Sequence, residues 1–465
     1  MAWSNFTRTM SKNETTAEAV RSTEINHSTI LIIGGGAAGM AAAIAARRSA
    51  KVSGKPCSIT LLERNPRPGT KIRLSGGGKC NVTHRGTPAE LLEQGFLRRN
   101  EARFLRHALY SFSNSHLLAL LRSKGVESEE RPDGKVFPVS GEAASVARAF
   151  EELLKESRVQ QHNSCRVRSV ERKGGIFFVK TEDATFTADC LILATGGVSY
   201  PGTGTTGDGL VIARSMGHSI KKPLAALAPL YTIKAPVATL SGLALRGVSL
   251  VGTAGGRIVE RRGDLLFTHR GYSGPAALSL SRDVAELMGE QGNCSLFADL
   301  FPEQSSAELE AELLMHARTS GTQMVRKFLQ ACPIAPLRGA FGMAQQGTVP
   351  TALVPFIMRH AGLENEVTWS GLSREKRQSL LAVLKRFPLG SVREVPLDQG
   401  EISAGGVSLG EVNPKTMCSR IVPHLFLCGE IIDYAGEIGG FNLQAAFSTG
   451  WMAGVNAVNS VQSAG

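Results

Sequence analysis

Gly34-Gly35-Gly36-Ala37-Ala38-Gly39 fits the pattern G-x-G-x-x-G. In that pattern the first glycine permits a tight turn and the second lets a pyrophosphate come against the backbone. The third lets a helix pack close to a strand, so that phosphate sits at the helix N-terminus. Glu63 ends the next apolar run and is suited to accept hydrogen bonds from ribose hydroxyls. Together they read as a dinucleotide site. A second match, Gly202-Thr203-Gly204-Thr205-Thr206-Gly207, follows Ala194-Thr195-Gly196-Gly197. It reads either as a second site, for NAD(P)H, or as a loop serving the first. No clean strand runs into it and no acidic strand end follows, which favours the loop. The cysteines carry a different message. There are eight, Cys57, Cys80, Cys165, Cys190, Cys294, Cys332, Cys418 and Cys428, and no two form C-x-x-C. None lies at zinc-finger spacing to a His pair, so reduced thiols in a cytoplasmic protein are expected, and no metal.

Those residues need elements to hold them. Ile30-Leu31-Ile32-Ile33 is an aliphatic run suited to a strand buried on both faces. After the glycines comes an alanine-rich helix, then the run Ser58-Ile59-Thr60-Leu61-Leu62 that ends at Glu63. Strand, glycine turn, helix, strand and acid open a doubly wound α/β sheet. Further on, Leu91 to Leu121 reads as helices and Arg166 to Lys180 as a hairpin turning at Gly174-Gly175. Leu191 to Ala194 reads as another buried strand, and a hairpin is expected at Gly255-Gly256. Leu309, Leu313 and Leu314 share a helical face, as do Val325, Phe328 and Leu329, then Leu380, Leu381 and Leu384. The fold class is therefore α/β: one discontinuous Rossmann-type domain with β-rich and helical insertions. The expected divisions are a flexible polar tail over 1–27 and the first part of the nucleotide-binding domain over 28–226. A β-rich insertion over 227–302 and a helical one over 303–386 follow, and 387–465 returns to both β-rich and nucleotide-binding structure.

Composition excludes other classes. The chain has 465 residues, 51 of them glycine, and a net charge of +12, which rules out an acidic disordered chain and a small disulfide scaffold. A basic excess attracts nucleic acid, anionic lipid or phosphorylated ligands without choosing among them. The first 27 residues mix Arg8, Lys12 and Arg21 with Glu14, Glu18 and Glu24 and contain no apolar core of a secretory signal. The longest uncharged apolar run, Ile30 to Ala46, is interrupted by the four fingerprint glycines, so no membrane span is expected.

Several further motifs make the chain resemble the BaiN/RdsA family of FAD-dependent oxidoreductases. They are the fingerprint with Glu63-Arg64, the run Gly69 to Thr83, Phe267-Thr268-His269-Arg270-Gly271-Tyr272-Ser273-Gly274-Pro275, and the stretch from Gly429-Glu430 through Asp433 to Gly450. Arg131 to Pro138 and Ser403 to Val407 also fit, and the resemblance runs from about Thr29 to the C-terminus. It implies FAD in the first site, with Gly34, Gly36, Ala37, Ala38, Gly39, Glu63, Arg64 and Lys71 among its ligands. Gly76, Gly77, Gly78 and Asn81 of the family loop, Val167 beside adenine, and Thr195 and Gly196 complete that side. From the last stretch Gly429, Glu430, Asp433, Gly440, Asn442 and Leu443 would line the pyrophosphate, ribityl and flavin side. One departure is Arg270, where the family often has an aromatic residue.

The family includes an enzyme that makes dihydrouridine in large-subunit ribosomal RNA and proteins proposed to act on small molecules, among them steroid-like bile acids. Between Leu61 and His107 there are ten Lys/Arg against four acids. Arg98, Arg99, Arg103 and Arg106 exceed what one cofactor needs, and read either as a track for an RNA backbone or as a solvated helix face. Uridine reduction requires hydride at C6 from reduced flavin and a proton at C5, on a base that has left its stack. Cys80 reads as that acid or as a packed thiol near the flavin, with Tyr272 and His269 as further candidates. Three readings follow. The first is an NAD(P)H-dependent rRNA dihydrouridine synthase. The second is a reductase or oxidase of an enone, steroid-like or amine substrate. The third is an FAD-stabilised RNA-binding protein without catalysis.

Overall fold

Ile30, Leu31 and Ile32 have no exposed surface, because their strand, Asn26–Ile33, is paired on both sides. In the computed structural model, which describes residues 26–331, 337–338, 344–345 and 349–461, it runs parallel to Ile59–Leu62 and to Thr185–Leu193. Parallel pairing with both faces covered is what an unbroken aliphatic run requires. Each fully buried side chain of this kind contributes about 1.5–3 kcal/mol. The strand begins at Asn26, earlier than the aliphatic run, because its polar start is paired too: the Ser28 and Thr60 hydroxyls bond at 2.7 Å. Of the polar tail, residues 1–25 lie outside the described residues.

Gln160–His162 extends the sheet beside Ile59–Leu62, and Leu425–Leu427 joins the end of Thr185–Leu193, both in parallel. The hairpin Val167–Lys173 and Ile176–Thr181, turning at Gly174-Gly175, completes seven strands. Over the fingerprint helix, Ala37–Ser53, lies the C-terminal helix Phe441–Ser460. A Cβ at Gly450 would stand 2.1 Å from the Ala38 carbonyl oxygen, so the two helices can meet this closely because that position has no side chain.

The second body is a closed barrel of six strands. Around it run Leu230–Thr232, Gly271–Ser273, Arg257–Phe267, Ala244–Ala254, Ser295–Asp299 and Phe387–Glu394, the last pairing back to the first. The Gly255-Gly256 hairpin is one of its corners. Helices Ser306–Thr319, Val325–Ala331, Val354–His360 and Arg374–Lys385 are inserted between the last two barrel strands. Their residues Leu309, Leu313, Phe328, Leu380 and Leu384 share one apolar core with Leu250, Leu296 and Phe387 of the barrel. Barrel and helices thus form a single cap. Helical periodicity identifies an apolar face but not the partner that covers it. Sheet body and cap are joined by Ile220–Ala226, antiparallel to Ile402–Val407. No helix among the described residues is long and apolar enough to cross a membrane.

Candidate functional site

Two helix N-termini open on one cavity. The fingerprint helix starts after Gly36 and the C-terminal helix after Gly440, neither has a side-chain cap, and both glycines line the cavity. Uncapped N–H groups and the helix dipole favour an anion at such ends. At Gly36 a Cβ would meet nothing within 4 Å, so the backbone there is open to a ligand. Thr195 presents a buried hydroxyl with no partner among the described residues and also lines the cavity. The cavity encloses about 600 Å³. An elongated, doubly phosphorylated nucleotide fits these features.

At one end Glu63 accepts the Gly35 N–H at 2.5 Å and the Asn65 N–H at 2.7 Å. Burial pushes its pKa up, against those two hydrogen bonds and Arg64. Val167 and Arg166 line the same wall. Arg64 reaches the Gly204 carbonyl at 3.2 Å and Thr206 Oγ1 at 2.6 Å, and Asn65 Nδ2 donates to the Thr203 carbonyl at 3.0 Å. The second glycine pattern is therefore folded onto the first cavity, as a loop. Burial works against ionisation of Asp208, but Arg166, Thr206 and Arg64 outweigh it and hold its pKa below the usual range.

Midway, Lys71 Nζ donates to Glu430 Oε2 at 2.8 Å and to Ser199 Oγ at 2.9 Å. Glu430 Oε1 accepts from Ser403 N at 2.8 Å. Asn442 Oδ1 accepts the Gly436 N–H at 2.8 Å, pinning the turn before the C-terminal helix. Where sheet body meets cap, the lining passes to Lys135, Phe137, Leu227, Glu401, Ile402, Glu437 and Ile438.

The cavity brings together Gly34, Gly36, Ala37, Ala38, Glu63, Arg64, Lys71, Gly76, Gly77, Asn81, Val167, Thr195 and Gly196 with Gly429, Glu430, Gly440, Asn442 and Leu443. It does not include Gly39, Gly78 or Asp433. Gly39 is a packing residue: a Cβ there would lie 1.8 Å from the Gly34 carbonyl oxygen. Asp433 is buried and paired with Lys221 at 2.5 Å, bracing the joining strands.

None of the three acid candidates read from the sequence lines the cavity. Cys80, within the family loop, is fully buried away from the cavity, and burial pushes its thiol to about 11, with Ser75 opposing. Tyr272 is a barrel-core residue whose hydroxyl donates to the Leu389 carbonyl at 2.9 Å. His269 is exposed at a barrel turn, where Arg270 stands 4.0 Å over the Tyr231 ring. Motif membership placed these residues near the cofactor, whereas the chain path sends two of them into the cap. Conversely, Glu401 and Glu437 were not singled out. Glu401 adjoins the Ser403–Val407 motif and Glu437 lies inside the last family stretch, which was the available signal.

The arginine cluster divides. Arg98 turns inward to Glu286 at 2.6 Å and Asp283 at 3.2 Å on the helix Pro275–Gln291, whose Leu280 and Val284 belong to the cap core, so it ties the sheet body to the cap. Arg99, Arg103 and Arg106 lie exposed along one stripe of the helix Arg99–Ser111, with Arg106 5.7 Å from the Tyr110 ring.

Fold and cavity define a Rossmann-type protein with a barrel-and-helix cap and a chamber suited to a dinucleotide. The family profile described as HI0933-like protein Rossmann domain matches residues 28–456. The chain belongs to that family, the BaiN/RdsA group of flavoprotein oxidoreductases that its motifs resemble. It is 30% identical over 425 residues to a 3-dehydro-bile acid delta(4,6)-reductase of Clostridium scindens, covering 91% of this chain and 97% of that one. It is 28% identical to a ribosomal RNA dihydrouridine synthase of Escherichia coli, over 90% of this chain and 96% of the relative. The protein of the same name in Haemophilus influenzae is 29% identical, again over 90% and 96%. Among solved structures, 3-ketosteroid delta1-dehydrogenase from Sterolibacterium denitrificans shares the fold, with a TM-score of 0.51 and 13% identity. That match covers 94% of this chain and 100% of the other.

Proposed function

We propose that the chain is an FAD-dependent reductase that converts a uridine of large-subunit ribosomal RNA to dihydrouridine, with NAD(P)H as electron source. Bound FAD supplies hydride exchange between nicotinamide and substrate. The chain's residues bind and orient it: Glu63 takes the ribose hydroxyls, and the helix ends at Gly36 and Gly440 take negative charge. Lys71 and Glu430 hold each other in place in the cavity lining.

The observation that carries the RNA reading is the exposed stripe of Arg99, Arg103 and Arg106. On the buried face of the same helix Glu101 accepts the Ala435 N–H at 3.2 Å, two residues before cavity-lining Glu437. A phosphate track and a reaction chamber would then share one helix. The deciding experiment is mass spectrometry of rRNA nucleosides from cells with and without the gene. One dihydrouridine is expected to disappear on deletion, and unchanged rRNA would refute the reading. Substituting Arg99, Arg103 and Arg106 together by Glu is expected to weaken rRNA binding. The slope of log affinity against log salt should flatten by roughly 2 to 2.7, since each of three phosphate contacts contributes roughly 0.7–0.9.

A second reading, reduction of a small enone, is favoured by the 30% identity to the Clostridium scindens reductase over 91% of the chain. It predicts NAD(P)H-dependent turnover of such a compound without RNA.

A further inference from the structure

Five carboxyl side chains line the cavity: Glu63, Asp208, Glu401, Glu430 and Glu437. Four are engaged. Glu63 holds backbone N–H groups, Asp208 holds Arg166, Glu430 holds Lys71, and Glu437 faces Arg261 at 3.5 Å. Glu401 alone among them makes no side-chain hydrogen bond or ion pair with the described residues, and it is open to the cavity.

Its backbone is nonetheless fixed. The Glu401 N–H donates to the Leu227 carbonyl at 3.0 Å, and its own carbonyl accepts from Ser199 Oγ at 3.5 Å. These bonds place it at the seam between sheet body and cap, one residue before the strand Ile402–Val407. A carboxyl on a fixed stretch of backbone, without a partner and facing a ligand chamber, is available for proton transfer.

We propose that Glu401 is the acid of the reduction: as one carbon of the substrate C=C takes hydride, Glu401 gives its proton to the neighbouring carbon. The carboxyl O–H bond breaks, the π electron pair forms the new C–H bond, and the carboxylate is reprotonated by water. The two electrons come from a nicotinamide nucleotide by way of FAD. The inference rests on the reading of the site as a reductase. Although its side chain is open to the cavity, the surrounding protein desolvates Glu401 and pushes its pKa up, while Lys71 and Lys135 oppose that rise. Both lysines are already occupied, Lys71 by Glu430 and Lys135 by Asp133 at 2.7 Å.

The test compares the full wild-type chain with Glu401→Gln and Glu401→Asp. Reoxidation of the reduced enzyme is followed under anaerobic conditions with unmodified large-subunit rRNA and with a bile-acid enone as probes. Glu401→Gln is expected to load FAD, seen by visible absorbance, and to be reoxidised about 10²–10⁴-fold more slowly. The wild-type rate should fall as pH rises through the pKa of Glu401, a limb that Glu401→Gln lacks, and Glu401→Asp should recover part of the rate. Independently of turnover, the flavin-free wild type should lose thermal stability relative to Glu401→Gln as pH rises. A carboxyl whose folded pKa is raised contributes stability at low pH that is lost as pH passes through that pKa. Wild-type turnover with an equally active Glu401→Gln would overturn this assignment alone. A wild type that turns over neither probe would overturn the reductase reading and the assignment with it.

Discussion

Glu63→Ala is expected to lower FAD affinity by a hundredfold or more. The carboxylate fixes the fingerprint turn by accepting the Gly35 N–H at 2.5 Å and the Asn65 N–H at 2.7 Å, and it is the group that would meet the ribose hydroxyls. Hydrogen bonds to a charged group contribute roughly 1.5–3 kcal/mol each, and about 1.4 kcal/mol is tenfold in affinity. Losing the ribose contacts alone therefore reaches that scale. The loss of the two backbone contacts adds instability in the turn itself, since Gly35 is buried. Titration of the flavin-free chain with FAD, followed by calorimetry or quenching of flavin fluorescence, measures the first effect. Thermal unfolding without FAD measures the second. Glu63→Gln keeps the shape and one acceptor oxygen, and should fall between. An unchanged affinity in Glu63→Ala would mean that the ribose is held elsewhere.

The second large effect concerns the joint between sheet body and cap. Glu101 is 2% exposed and accepts two hydrogen bonds from Arg282, at 2.6 Å and 3.1 Å. Around this pair Glu286 meets Arg98 at 2.6 Å, and Asp283 meets Arg261 at 2.7 Å. Glu101→Ala removes the main partner of the Arg282 guanidinium, leaving it Glu286 at 3.5 Å and the Ala435 carbonyl at 3.2 Å, so the loss should approach, without reaching its top, the about 3–5 kcal/mol of a broken buried pair. Urea denaturation should show that loss as a lower midpoint. Replacing both partners, Glu101→Leu with Arg282→Met, should recover most of it, because apolar packing can substitute for a buried ion pair. A cost below about 1 kcal/mol for Glu101→Ala would mean that solvent screens the pair as it does surface bridges. The pH dependence has a definite sign. Burial opposes ionisation of Glu286, but Arg98 and Arg282 hold its pKa below the ordinary carboxylate range. A depressed pKa contributes stability that is lost as pH falls through the folded value, so the joint weakens in acid.

The cofactor half of the site was legible in the chain because its determinants are local. A glycine pattern between an aliphatic strand and an alanine-rich helix dictates a turn and a helix N-terminus wherever the chain goes next. The same holds for Glu63 at a strand end, and for the glycine pairs that turn two hairpins. Periodicity likewise marked the apolar faces of Leu309, Phe328 and Leu380.

What periodicity does not encode is the partner of a face. That is why barrel and helices, separate as segments, share one core, and why Arg98 faces the cap while Arg99 faces solvent one residue later. The same reason removed Cys80 and Tyr272 from the cavity and brought Glu401 into it. Burial and openness depend on which distant strands close around a position, here Ile220–Ala226 against Ile402–Val407. The sequence by itself determined a dinucleotide site and its family. Tertiary packing decided which acid stands free in that site and which arginines remain exposed, because both depend on contacts between residues hundreds of positions apart.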